Sequence, residues 1–119
     1  MTTALIVDDE YDICYLLSSI LRTKNFQVSY VNSLSEATDA LKLQMPEIIF
    51  LDNHLPDGLG VDFIKVVKAQ NPGIKVVLLT AFDNYSDRAT AFNNGADTFI
   101  PKPFTKDVIF QVVDKLARA

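Results

Sequence analysis

Short apolar runs and longer stretches with a helical period alternate along the whole chain. The runs Ala4–Val7, Phe26–Val31, Ile48–Leu51, Lys75–Leu79 and Thr98–Ile100 are short and rich in β-branched and aromatic residues, so they predict strands. Ile48-Ile49-Phe50-Leu51 and Val76-Val77-Leu78-Leu79 lack polar alternation, as strands covered on both faces require. Between the runs the period changes to that of a helix. Ile13, Leu16, Leu17, Ile20 and Leu21 form one stripe, and Ile109, Val112, Val113 and Leu116 form another. Ser33 followed by Glu36 reads as a capping box opening a helix that stops before Pro46. A third helix is expected from about Gly60 to Gln70, ending at Asn71-Pro72-Gly73, and a fourth from about Tyr85 to Asn94, ending at Gly95. The fourth is the least apolar, with Ala89 and Phe92 as its inner face.

Five strand–helix units in strict alternation imply an α/β fold of three layers: a doubly wound, five-stranded parallel sheet with helices on both faces. Right-handed crossovers then collect the carboxyl ends of all strands on one edge. In the flavodoxin-like order 2-1-3-4-5, strands one and three are neighbours where the winding reverses. That crevice is where open α/β sheets bind ligands.

Composition narrows the setting. The chain of 119 residues fits one domain, residues 1–119. Its net charge of −4 leaves no surplus of Lys and Arg to neutralise phosphates, so neither nucleic acid nor an anionic membrane is an expected direct partner. A lone cysteine, Cys14, excludes an internal disulfide and fits a reducing compartment. No apolar run approaches the roughly 18 residues of a membrane span, and the N-terminus has no signal-peptide pattern. The expected location is the cytoplasm.

Polar residues follow the strands in a pattern that core packing does not need. Asp8-Asp9-Glu10 follows strand one, Asp52 ends strand three, Thr80 ends strand four and Lys102 follows strand five. Singly, each has an ordinary role open to it. Asp8 or Asp9 could cap the first helix, Asp52 could begin the Asn53–Gly58 turn, Thr80 suits a strand and Lys102 suits a solvated surface. Together they converge on one crevice, where carboxylates repel one another and raise their own pKa values. A hard divalent cation with oxygen ligands relieves that, and Mg²⁺ suits a site with few carboxylates. Mg²⁺, a carboxylate, a hydroxyl and an ammonium together describe phosphoryl transfer, in which catalysis is mostly positioning and charge neutralisation. Asp52 is then the nucleophile that forms an aspartyl phosphate, with Lys102 and Thr80 on the phosphoryl oxygens.

With these residues the chain resembles a response-regulator receiver domain over its whole length. The resemblance rests on Asp8-Asp9 after a short apolar strand, Leu51-Asp52 leading into Leu55-Pro56-Asp57-Gly58, Thr80-Ala81, and Lys102-Pro103-Phe104. It implies phosphorylation at Asp52 and a metal site made of Asp8, Asp9, Asp52 and the backbone carbonyl of His54. Thr80 and Lys102 contact the phosphoryl group, and small Ala81 leaves room for it. It further implies a cis peptide before Pro103, and an aromatic at Phe99 that changes position with Thr80. The phosphodonor is a histidine kinase or a phosphotransfer protein, and the output surface for a downstream domain or partner is the fourth helix, fifth strand and fifth helix. His54 and Phe82 fall where the family varies the lifetime of the phosphorylated state.

Other readings fare worse. His54 is the only histidine, and hard Mg²⁺ prefers oxygen to its imidazole. Gly58-Leu59-Gly60 lacks the third glycine of a dinucleotide fingerprint. A Mg²⁺-dependent phosphohydrolase needs a second acid two residues after its aspartyl nucleophile, where this chain has His54 after Asn53. A phosphorylation-independent binding module does not explain the intact acidic set.

Overall fold

The computed structural model describes residues 2–81 and 85–117. Its parallel strands are β1 (Thr3–Val7), β2 (Gln27–Val31), β3 (Ile48–Asp52), β6 (Lys75–Thr80) and β7 (Thr98–Pro101). The helices are α1 (Tyr11–Arg22), α2 (Leu34–Leu43), α3 (Gly60–Gln70), α4 (Tyr85–Asn93) and α5 (Lys106–Ala117). The sheet order is β2-β1-β3-β6-β7. This is the expected 2-1-3-4-5 once a small antiparallel hairpin, β4 (His54–Leu55) with β5 (Gly58–Leu59), is set aside. The hairpin occupies what reads in sequence as a plain turn.

Period-two geometry divides the apolar strands between two cores. Leu5, Val7, Ile49, Leu51, Val76 and Leu78 pack with Ile64 and Val67 of α3 and Ala91 of α4. Ala4, Ile6, Phe50, Val77 and Leu79 pack on the opposite face with Leu17 and Leu21 of α1 and Ile109 and Val113 of α5. All five residues of β3 are buried, and its four apolar side chains, Ile48–Leu51, pack alternately into the two cores. Each such fully buried aliphatic or aromatic side chain contributes about 1.5–3 kcal/mol.

Two helix faces differ from their sequence reading. On α1 the buried row is Cys14, Leu17, Ser18, Ile20 and Leu21, while Leu16 is 46% exposed. Cys14 lies one turn before Leu17 and Ser18, so it occupies the inward position that Leu16 misses. On α4, Ala89 is exposed and Phe92 is 48% exposed; the residue turned to the core is Ala91. Phe92 instead meets the ring of Phe99 edge-on, 6.2 Å between centroids.

The expected capping box holds at one end and shifts at the other. Ser33 Oγ accepts the Glu36 N–H at 3.1 Å, but Glu36 Oε1 accepts from the Asn32 N–H at 2.8 Å, one residue before the cap. Asp57, at the hairpin tip, accepts the Leu34 and Ser35 N–H groups, both at 2.9 Å, and these bonds hold its carboxyl below the usual range. Gly95 takes φ +112 and ends α4 as its sequence position suggests.

Candidate functional site

The register of the sheet brings the polar strand ends together. Val7 pairs with Leu51, Asp52 with Leu79 and Thr80 with Pro101, so Asp8, Asp52, Thr80 and Lys102 all fall on the carboxyl edge around β3. Asp8 is fully buried, and its Oδ1 accepts the Glu10 N–H at 2.9 Å. Its Oδ2 lies 2.8 Å from the Lys102 ammonium. The same ammonium is 3.3 Å from Asp52 Oδ1 and 3.4 Å from Glu10 Oε1. One cation therefore faces three carboxylates. The Lys102 N–H donates to the Thr80 carbonyl at 2.8 Å, which seats its backbone against the end of β6. The Lys102–Pro103 peptide is cis. Thr80 itself is buried at the end of β6, beside β3.

Burial dominates the electrostatics. It pushes Asp52 up to about 6, with the Asp8 charge adding to the rise and Lys102 opposing it. Asp8 is raised too, again by burial, against the pull of Lys102 and the Glu10 N–H. Burial acts to lower Lys102, but its contacts with Asp8 and Asp52 outweigh this and hold it raised. A single ammonium thus leaves the hollow short of positive charge.

That shortfall is a test of whether a metal fits. Carboxylate oxygens of Asp8, Asp9 and Glu10 lie within 4.8 Å of one another, with Asp9 and Glu10 on the exposed rim. Hard oxygen donors crowded beside a buried, proton-hungry acid match what Mg²⁺ takes. Among the donors expected from sequence, Asp8 and Asp52 share Lys102 and Asp9 joins the rim. The His54 side chain is exposed in the hairpin, where its residue pairs with Leu59. Phe82 lies outside the described residues.

Four contributors have no role assigned from sequence, although Glu10 and Asp57 stand within the motifs named there. Glu10 turns back to Lys102, and Asn32 donates to the Asp8 carbonyl at 2.9 Å. Asp57 pins the hairpin to α2, and Asn53 pins it to α3. Asn32, Asn53 and Asp57 act across loops, so no local spacing marks them. Cys14 packs in the core, its Sγ 3.4 Å from the Asp8 carbonyl and its thiol pushed up to about 11 by burial.

The family model for the response regulator receiver domain matches residues 4–114. The chain belongs to that family. It is 34% identical over 117 residues to the probable transcriptional regulatory protein TcrX of Mycobacterium tuberculosis, covering 98% of this chain and 50% of that protein. It is 35% identical over 111 residues to the phosphate regulon transcriptional regulatory protein PhoB of Klebsiella pneumoniae, covering 91% of this chain and 48% of that protein. The chain thus spans about half the length of the curated relatives it matches. In fold it superposes on a two-component response regulator from Clostridium difficile with a TM-score of 0.95, at 24% identity, covering 99% of this chain and 97% of that one. This receiver domain is a signalling module of two-component phosphorelays. Its family works with histidine kinases and generally binds Mg²⁺. No helix among the described residues is long and apolar enough to cross a membrane.

Proposed function

We propose that the receiver, residues 1–119 acting as one cytoplasmic domain, accepts a phosphoryl group on Asp52 from a histidine kinase or phosphotransfer protein. The observation that carries this reading is the buried Asp52 carboxylate sharing one ammonium, Lys102, with buried Asp8. A carboxylate oxygen of Asp52 attacks the phosphorus, the bond from phosphorus to the donor nitrogen breaks, and that nitrogen leaves with the electron pair. Lys102 neutralises charge on the phosphoryl oxygens, and the Thr80 hydroxyl donates to one of them. Asp8, Asp9, Asp52 and the His54 carbonyl would hold Mg²⁺, which when bound would supply positive charge to offset that of the phosphoryl group. Water attacking the same phosphorus later returns Asp52 to its carboxylate, so the domain catalyses only its own phosphorylation and dephosphorylation.

The readout surface is α4, β7 and α5. Phe99 of β7 is half-buried, with the Arg88 guanidinium 4.1 Å from its ring centroid and Phe92 at its edge. When Thr80 is drawn toward the phosphoryl group, Phe99 repacks and a partner reads α4. With no surplus of basic residues, the chain does not itself hold nucleic acid.

Incubation with Mg²⁺ and acetyl phosphate is expected to add one phosphoryl mass, and Asp52→Asn to abolish it, because an amide is not the nucleophile. Equal labelling of both proteins in intact-mass spectra places the acceptor elsewhere. Asp9→Ala is expected to keep the fold and lose the thermal stabilisation that Mg²⁺ gives the wild type.

A further inference from the structure

Asn53, the residue after the acceptor, is 1% exposed and bonded on three of its polar groups. Its N–H donates to the Leu79 carbonyl at 3.0 Å, and its own carbonyl accepts the Gly60 N–H at 2.7 Å. Its side-chain Oδ1 accepts the Val61 N–H at 3.1 Å. These last two N–H groups open α3, where a helix has no internal acceptors. Leu59 stands at the N-cap and has no side-chain cap to offer. Asn53 therefore caps α3 from the far side of the hairpin, with both of its carbonyl oxygens.

Gly60 makes the contact closer still. A Cβ there would overlap the Asp52 carbonyl oxygen and lie 3.1 Å from the Asn53 Cα. The start of α3 is thus seated directly on the acceptor's peptide, and the hairpin bearing His54 is closed between them. Packing alone does not call for an asparagine here. Its buried Nδ2 has no hydrogen-bond partner, which is a cost that an apolar side chain avoids. The group in use is Oδ1.

We propose that Asn53 is a positioning residue for phosphoryl acceptance: by capping α3 through Val61, it fixes the Asp52–Asn53 peptide and the hairpin that presents the His54 carbonyl. This rests on the reading of Asp52 as acceptor, and it assigns Asn53 no contact with the phosphoryl group. Asn53 acts by holding the acceptor and the metal-facing carbonyl in one geometry, as residues behind a metal's ligands do.

The test compares wild type, Asn53→Leu and Asn53→Asp. In metal-free buffer, hydrogen exchange at Val61 should quicken roughly three- to tenfold in Asn53→Leu, the size of one lost hydrogen bond. Exchange at Ile64 and Val67 should move less. Asn53→Asp keeps an acceptor oxygen and should bring Val61 back near wild type. Mg²⁺ affinity, followed by amide shifts well below the melting temperature, should weaken about tenfold in Asn53→Leu. Phosphorylation by acetyl phosphate should slow with it. If Asn53→Leu does not fold, Asn53→Ala is read in the same way. Unchanged Val61 exchange, unchanged Mg²⁺ affinity, or no rescue by Asn53→Asp overturns the role of Asn53 and leaves Asp52 as acceptor. A wild type that takes no phosphoryl group at Asp52 overturns the acceptor itself, whatever Asn53 does to exchange.

Discussion

Helices α3 and α4 cover the same face of the sheet and are held there very differently. α3 buries Gly60, Val61, Phe63, Ile64 and Val67, and its first turn is sealed by Asn53. Among the described side chains of α4 only Ala91 is buried, and the large Phe92 is half in solvent. Burial energy scales with apolar area removed from water, so α3 is anchored by several side chains, whereas the described side chains of α4 bury about a methyl group. Among the described residues, Arg88 and Phe92 of α4 meet Phe99, and Asn94 just after the helix donates its Nδ2 to the Val61 carbonyl at 2.7 Å. A phosphoryl group can move an element only by as much as it favours one position over another. The half around Asp52 carries the core, and the described side chains of α4 carry little of it.

The sharpest break in this contrast comes from the core. Ile64→Ala should destabilise by about 2–5 kcal/mol in urea unfolding, whereas Ala91→Gly on α4 should cost about 1 kcal/mol from backbone freedom and a lost methyl. Equal losses would mean that α4 is as firmly anchored as α3. Next in size is Gly60→Ala, which forces a Cβ against the Asp52 carbonyl and should cost about 1–3 kcal/mol. Its effect on Mg²⁺-dependent phosphorylation should exceed its effect on α4 amide shifts.

Asp52 itself provides a third measure. Burial raises Asp52 to about 6 in the folded protein, above the 3.8 of an ordinary aspartate. Well above pH 6 both folded and unfolded chains carry the charge, and only the folded one holds it away from water. As pH falls through about 6 the folded form takes up its proton first, so this penalty is relieved, and below 3.8 no further change remains. Metal-free Asp52→Asn should therefore melt above wild type near pH 7.5 by an amount on the order of 1–2 kcal/mol, with the gap closing toward pH 5. A gap that widens on acidification contradicts the sign. Smallest of all is Phe92→Ala, which should cost under about 1 kcal/mol because half of the ring is already wet. It should nevertheless move the Phe99 amide and ring signals, since it removes the edge contact that holds Phe99 in this position.

Much of this was legible in the chain. Ile48–Leu51 and Val76–Leu79 announce doubly covered strands because burial on both faces permits no polar alternation. Asp8, Asp52, Thr80 and Lys102 stand out because each follows a strand, and the parallel topology sends all strand ends to one edge. Leu16 and Phe92 were misjudged because a stripe one residue wide can be drawn through either of two neighbouring positions on a helix. Which position faces in depends on where the sheet lies. The hairpin after Asp52 was missed because its two-residue strands have no periodicity to detect.

By itself, then, the sequence determined the alternation of periods, the order of elements and the kinds of group at each strand end, since these follow from local chain geometry and from the chemistry of single side chains. Tertiary structure decided how those groups interact. Lys102 meets Glu10 across 92 residues, Asn53 caps a helix whose own N-cap is a leucine, and Asp52 becomes a weak acid only once β3 is enclosed. Charge coupling and desolvation depend on distance through space and on what excludes water, and neither quantity exists until the chain has folded.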